Sequence, residues 1–204
     1  ILTTASLSLR LAMIAPRLKA ATIGWQHNCY DGYLHVKPVV FWQQENLLQQ
    51  YLPNLDRYIV LSDYDKRDYM EKLGIDCEVK INPRSFVSEK KCDVKSKRFL
   101  MATRFVYAKG LDLMMESFEE FCKEDSEWEL DIIGDGDLFD QIRADAKKRH
   151  LEKRVHFVGY TNEPEKYYLN SSVFLLPSRW EGWPMVIMEA FEFGLPVIAY
   201  HMGA

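Results

Sequence analysis

Near the end of the sequence, the run Ser178-Arg179-Trp180-Glu181-Gly182-Trp183-Pro184-Met185-Val186-Ile187-Met188-Glu189-Ala190 carries two carboxylates eight positions apart. Glu181 sits in what reads as a strand-to-helix loop, and Glu189 lies inside the helix that follows. Gly182 and Pro184 frame the start of that helix, where the first N–H groups lack intrahelical acceptors. A helix start of this kind, here Trp183 to Val186, binds phosphate through backbone donors, while nearby carboxylates accept hydrogen bonds from sugar hydroxyls. The alternative for Glu189 is a plain exposed helix residue. Against it, Ile187, Met188, Ala190 and Phe191 make the helix apolar almost all round. A carboxylate buried there without a partner would be costly, so a partner is expected.

Three other loops carry suggestive residues. Arg104 and Lys109 lie five residues apart between a short apolar run and a helical pattern. Taken alone they read as two solvated surface cations, but ahead of a helix they could clamp a diphosphate by charge-assisted hydrogen bonds. Gly134-Asp135-Gly136 allows close backbone approach to a ligand, yet it is no dinucleotide fingerprint, because Phe139 stands where the third glycine would be. Asp135 with Asp137, and Asp63 with Asp65, spell D-x-D, a spacing that can hold a divalent metal. With 30 acidic residues in the chain that spacing arises easily by chance, and no metal site is expected.

The elements that must position these residues follow from periodicity. Phe99–Thr103 and Ser172–Leu176 are short apolar runs that fit buried strands, and Glu127–Ile133, Val155–Val158 and Pro196–Tyr200 read as further strands. Between them, Leu111, Met114, Phe118, Phe121 and Cys122 recur at helical steps, as do Leu138, Ile142 and Ala146. Further helices are expected around 164–169 and from Pro184 to about Phe193. Strands alternating with helices through short connections predict a parallel sheet covered on both faces. The first half reads the same way less regularly, with strands at Ala21–Gln26, Arg57–Leu61 and Cys77–Ile81 and a helix at Asp63–Leu73 stopped by Gly74. Ser85–Arg98, with five cations and poor periodicity, reads as a linker between two α/β domains.

Composition bounds the class. The 204 residues, 48% hydrophobic with plentiful aromatics, exclude a disordered chain and suit one large domain or two modest ones. A formal net charge of −4 gives no reason to expect nucleic acid. Cys29, Cys77, Cys92 and Cys122 are far apart and read as reduced thiols of a cytoplasmic protein. No run reaches the length of a spanning helix. Arg10, Arg17 and Lys19 beside apolar residues leave two readings open, a soluble helix or peripheral contact with the inner face of the plasma membrane. The opening, without a methionine, and the end after a last strand suggest a trimmed chain.

The stretch from Arg104 to Ala204 resembles the donor-binding domain of the large retaining glycosyltransferase family with the GT-B fold. The family's Glu-x7-Glu pattern is matched by Glu181 and Glu189. Arg104 with Lys109-Gly110, the Gly134-Asp135-Gly136 turn, Val158-Gly159-Tyr160 and Leu176-Pro177-Ser178 match in the same order. More loosely, Ile23-Gly24-Trp25-Gln26-His27-Asn28 is similar to the acceptor-domain strand whose histidine faces the donor sugar. The resemblance implies two Rossmann-like doubly wound domains, both incomplete here. Residues 1–84 would be the end of the acceptor domain, 85–98 the linker and 99–204 the donor domain. It implies sugar transfer from a UDP- or GDP-sugar to a glycan or lipid-linked acceptor hydroxyl with retention, in cell-surface polysaccharide or glycolipid synthesis, with no separate cofactor. Arg104 and Lys109 would stabilise the leaving diphosphate, and Glu181 and His27 would orient the transferred sugar. Glu189 would hold the ribose, Gly159 and Tyr160 would border the base, and Gly134, Gly136, Gly182, Trp183, Pro184, Met185 and Val186 would line the nucleotide-sugar. Alternatives are an epimerase of the same architecture and a non-catalytic sugar-binding partner.

Overall fold

A computed structural model describes residues 1–36, 43–125 and 127–202. Among these, the chain forms two compact units: Ile1–Pro83 with Trp180–Trp183, and Arg84–Arg179 with Pro184–Met202.

The first unit is built on four parallel strands, β1 (Leu2–Thr4), β2 (Ile23–Trp25), β3 (Arg57–Val60) and β4 (Glu78–Val79), in that spatial order. Its helices are α1 (Ser6–Ile14), α2 (Tyr30–Leu34), α3 (Glu45–Tyr51) and α4 (Asp63–Leu73). The ends of α4 follow from its sequence. Ser62 Oγ accepts the N–H of Asp65 at 3.0 Å, and Gly74 at φ 68° closes the C-terminus, its N–H bonding Met70 O. Leu9 and Ala12 of α1 pack with Leu34, Leu48, Val60 and Tyr69 in one core. β1 was not foreseen: a three-residue strand with two threonines shows no alternation long enough to register.

The second unit holds five parallel strands in the order β7-β6-β5-β8-β9. They are β5 (Arg98–Ala102), β6 (Glu129–Ile133), β7 (Val155–Gly159), β8 (Val173–Leu176) and β9 (Val197–Ala199). Four helices accompany them: α5 (Leu111–Glu124), α6 (Phe139–Lys148), α7 (Glu165–Leu169) and α8 (Met185–Glu192). Successive side chains of β5 serve opposite faces of the sheet. Phe99 and Met101 join a core with Met115 and Phe118 of α5 and Ile142 of α6. Leu100 and Ala102 join a second core with Tyr168 of α7 and Ala190 of α8. A strand buried on both sides must be apolar throughout, which is why the run reads as continuous rather than alternating.

Residues 85–98, expected as a linker, pack within the second unit. Cys92 N–H bonds Phe193 O at 2.8 Å, Asp93 N–H bonds Leu169 O at 2.9 Å, and Phe86 packs on the Phe193 ring. Lys90 pairs with Glu165, and Arg84 with Glu192. Lys90 thus meets a carboxylate 75 positions along the chain, and Lys91 donates to the backbone carbonyl of Glu192. All four cysteines are free thiols.

Candidate functional site

In the second sheet the chain runs outward from β5 to β6 and β7, then returns to the other side of β5 for β8. Strand order therefore reverses between β5 and β8, and an open parallel sheet binds ligands beyond the carboxyl ends of the strands at such a point. The loops that leave β5 and β8 are the ones carrying Arg104, Lys109 and Ser178-Arg179.

The loop after β5 is held by sequence-specific contacts. Tyr107–Lys109 form a 3-10 turn, and Gly110 follows at φ 64° as the N-cap of α5. A Cβ on Gly110 would lie 2.0 Å from Pro177 O, so glycine is needed both for the conformation and for the approach of the β8 end. Arg179, to which sequence reasoning gave no role, ties the two loops together. Its guanidinium grips Asp112 at both oxygens (2.8 and 2.5 Å), donates to Tyr107 O at 2.9 Å and lies 4.0 Å over the Tyr107 ring. The hydrogen bonds from Arg179 hold the Asp112 carboxyl below its usual range. Lys109 is thereby fixed on a braced turn, half-buried, and Arg104 is exposed one residue before the buried Phe105.

The neighbouring loops interlock with this one. Gly134 and Gly136 have φ of 124° and 150°, and a Cβ on them would lie 1.8 Å from Thr103 O and 2.8 Å from Phe105 N. The close approach that the Gly-Asp-Gly turn permits is made here by the Arg104 loop. Phe105 N–H bonds Asp135 O, and Gly134 N–H bonds Gly159 O at 2.8 Å, so the ends of β5, β6 and β7 are laced together. Gly159, at φ 79°, has open space where a side chain would project, and Tyr160 is 77% exposed.

α8 begins at Met185 with Pro184 extended before it, and no side chain caps it. Pro184 is thus the residue before the helix rather than its first member. Glu189 is half-buried and has a partner within its own unit. Its Oε2 accepts the Tyr168 hydroxyl at 2.8 Å, and Oε1 lies 3.5 Å from Ser85 Oγ. It opens on a cavity of about 720 Å³, walled by Ser85–Ser88 and Lys90 on one side and by Asn162–Lys166 on the other, with Phe193 beside Glu189.

His27 and Glu181 belong to the first unit. Gln26, fully buried at the end of β2, accepts the N–H groups of His27 (2.9 Å) and Asn28 (3.2 Å) on Oε1, turning the chain out of the sheet. His27 is exposed, its ring 5.0 Å from that of Trp25, and partial burial lowers its pKa. The Trp180–Trp183 segment seats on this turn. A Cβ on Gly182 would lie 2.4 Å from His27 O, and one on Gly32 would lie 2.2 Å from the Trp180 ring. Glu181, 8% exposed, is brought beside the His27 loop by that seating.

The D-x-D spacings do not build a metal centre. Asp65 is buried and accepts from Tyr30 N–H at 2.9 Å and Ser62 Oγ at 2.7 Å, while Asp135 folds back on Gly136 N–H. Among the described residues no group of three His, Cys, Asp or Glu side chains converges.

The second parallel α/β unit thus carries cations, an uncapped helix start and a carboxylate in the segments that follow β5 and β8. Residues 85–204 match the family described as glycosyl transferases group 1, and the chain belongs to it. An uncharacterised glycosyltransferase of Haemophilus influenzae is 30% identical over 148 residues, 72% of this chain and 42% of that protein. The lipopolysaccharide 1,6-galactosyltransferase of Salmonella typhimurium is 31% identical over 105 residues, 50% of this chain and 29% of that protein. A crystal structure of an S. aureus TarM variant with fondaparinux, α-GlcNAc-glycerol and UDP superposes with a TM-score of 0.79 at 22% identity. It covers 90% of this chain and 37% of that one. The chain thus spans less than half the length of these relatives, and the fold is the α/β GT-B type with two parallel sheets.

Proposed function

We propose that the protein transfers a sugar from a UDP- or GDP-sugar to an acceptor hydroxyl of a glycan or lipid-linked glycan, with retention at the anomeric carbon. The observation that carries this reading is the second unit's switch point. There the braced Lys109 turn and the Arg104 loop stand beyond β5, and α8 presents an uncapped N-terminus, with Glu189 on its second turn lining the cavity.

The chemical demand is to stabilise negative charge that grows on the departing diphosphate. Fixed donors aimed at that charge serve best, because they need no reorganisation as it develops. The Met185 and Val186 N–H groups and Lys109 on its braced turn are of that kind, Arg104 adds an exposed cation on the same β5 loop, and with them a metal is unnecessary. Glu189 accepts from the ribose hydroxyls, and the open backbone at Gly159 and Tyr160 borders the base. Gly134 and Gly136 shape the floor through the loop they admit. Glu181 and His27 orient the transferred sugar, with Gly182, Trp183 and Pro184 setting Glu181 in place. His27, its pKa lowered by desolvation, acts there as neutral imidazole from the ordinary histidine range upward.

Calorimetry with free UDP and GDP tests the central assignment. Glu189→Gln keeps shape and one acceptor oxygen but loses charge, so affinity should fall roughly tenfold or more, about 1.4 kcal/mol or more. Glu181→Gln should instead reduce turnover more than nucleotide affinity. Equal nucleotide affinity in wild type and Glu189→Gln would break the ribose assignment.

A further inference from the structure

Tyr168 is a polar residue in an otherwise apolar core, and the proposed reaction gives it no part. It is 1% exposed, and its ring stacks on Phe174 (centroids 5.8 Å apart, planes 5° apart) and on Phe193 (5.2 Å, 23°). Packing alone would be served by phenylalanine. A buried tyrosine hydroxyl needs a hydrogen-bond partner, and this one donates to Glu189 Oε2 at 2.8 Å. Burial, reinforced by the Glu189 charge, pushes the phenol far above its ordinary pKa, so it remains a donor throughout the working range.

An ionised carboxylate offers about four acceptor positions, two on each oxygen. Tyr168 takes one on Oε2, and Ser85 Oγ, at 3.5 Å, stands at one on Oε1. That leaves acceptor capacity on each oxygen of a carboxylate that, with Tyr168 and Ser85, lines the cavity. Two hydroxyls on adjacent carbons are the ligand group that fills such a pair.

We propose that Tyr168 is a positioning residue that locks the Glu189 carboxylate plane, so that the site accepts a vicinal diol and selects ribonucleotides over 2′-deoxyribonucleotides. The proposal rests on the reading of Glu189 as the ribose acceptor. A free carboxylate would still bind one hydroxyl, by rotating to whichever is present. A locked one gains its second bond only when both hydroxyls are there, so the lock is what turns affinity into discrimination.

The test is calorimetry on the full-length protein with UDP and 2′-deoxy-UDP, and with GDP and 2′-deoxy-GDP. Wild type should prefer the ribonucleotide by roughly tenfold or more, the loss of one charge-assisted hydrogen bond. Tyr168→Phe, which removes only the hydroxyl, should cut that preference to less than about threefold. The preference is a ratio, so a lowered folded fraction weakens both ligands equally and leaves it unchanged. In Glu189→Gln, adding Tyr168→Phe should change nothing further. An undiminished preference in Tyr168→Phe, with the preference lost in Glu189→Gln, overturns the positioning role and leaves the ribose assignment standing. An undiminished preference in Glu189→Gln, or no binding of either nucleotide to wild type, overturns the ribose assignment and the proposal with it.

Discussion

Arg104 and Lys109 carry the heaviest demand of the proposed chemistry, because charge on the leaving diphosphate must be met as it forms. Arg104→Ala and Lys109→Ala should each lower turnover by roughly 10²-fold or more, the scale for removing a donor aimed at transition-state charge. Steady-state rates of the full-length enzyme check this, and wild-type rates in both variants would remove the pair from the mechanism. Chelator should leave the wild-type rate unchanged, and full dependence on added manganese would contradict the metal-free assignment. At this scale the sequence was informative about what needed a partner and silent about which residue supplied it. The apolar surroundings of Glu189 required one, but Tyr168 lies 21 positions earlier on another helix, and no periodicity links the two. Arg179 was hidden in the same way. Its partner Asp112 is 67 positions away and reads as an ordinary first-turn acid of α5.

The elements of the second unit were legible because the middle of β5 and β8 is apolar on both faces and the intervening helices are one-sided. What pattern could not show was how the loops brace one another. The Arg179–Asp112 grip sets the Tyr107–Lys109 turn, so Asp112→Asn should lower turnover and reduce the melting temperature at neutral pH by only about 2–4 °C. An ion pair with Asp112 half exposed contributes at most about 1 kcal/mol. The pH dependence has a definite sign. A carboxyl whose pKa is lowered in the folded state adds stability above the ordinary carboxylate range near pH 4 and loses it as pH falls through the lowered value. The melting temperature of Asp112→Asn should therefore converge on wild type as pH drops from about 4 toward 2. A gap that widens with acid would mean that Arg179 does not hold this carboxylate. The strap at 85–98 escaped sequence reading for a related reason: a cationic, aperiodic stretch looks like a solvated linker until Glu165 and Glu192 are known to be near.

At the scale of the molecule, the parallel α/β class followed from alternation, whereas the grouping of one short late segment with the first unit did not. Nothing in the sequence marks Trp180–Trp183 as belonging with residues 1–83. Surface chemistry is partly legible. Leu7, Met13 and Ile14 of α1 are each 50% exposed, and Arg10, also exposed, lies on the Leu7–Ile14 line of the same helix. This supports the membrane reading of the basic residues near the start, as each cation near an anionic surface contributes about 1 kcal/mol. Full-length protein should sediment with vesicles of anionic lipid at low salt and release as salt rises. Failure to sediment at low salt would end that reading. The seating of Trp180–Trp183 also bears on how the gene can be divided. A cut at the 83/84 boundary, obvious from the order of the elements, would leave the second product carrying a tetrapeptide folded for the first. Its Trp180 ring would lose the glycine at position 32, and its Gly182 the backbone at position 27, against which they sit. Such a half would show sticky aromatic surface in isolation, so split-protein reporters built on this fold should be divided elsewhere.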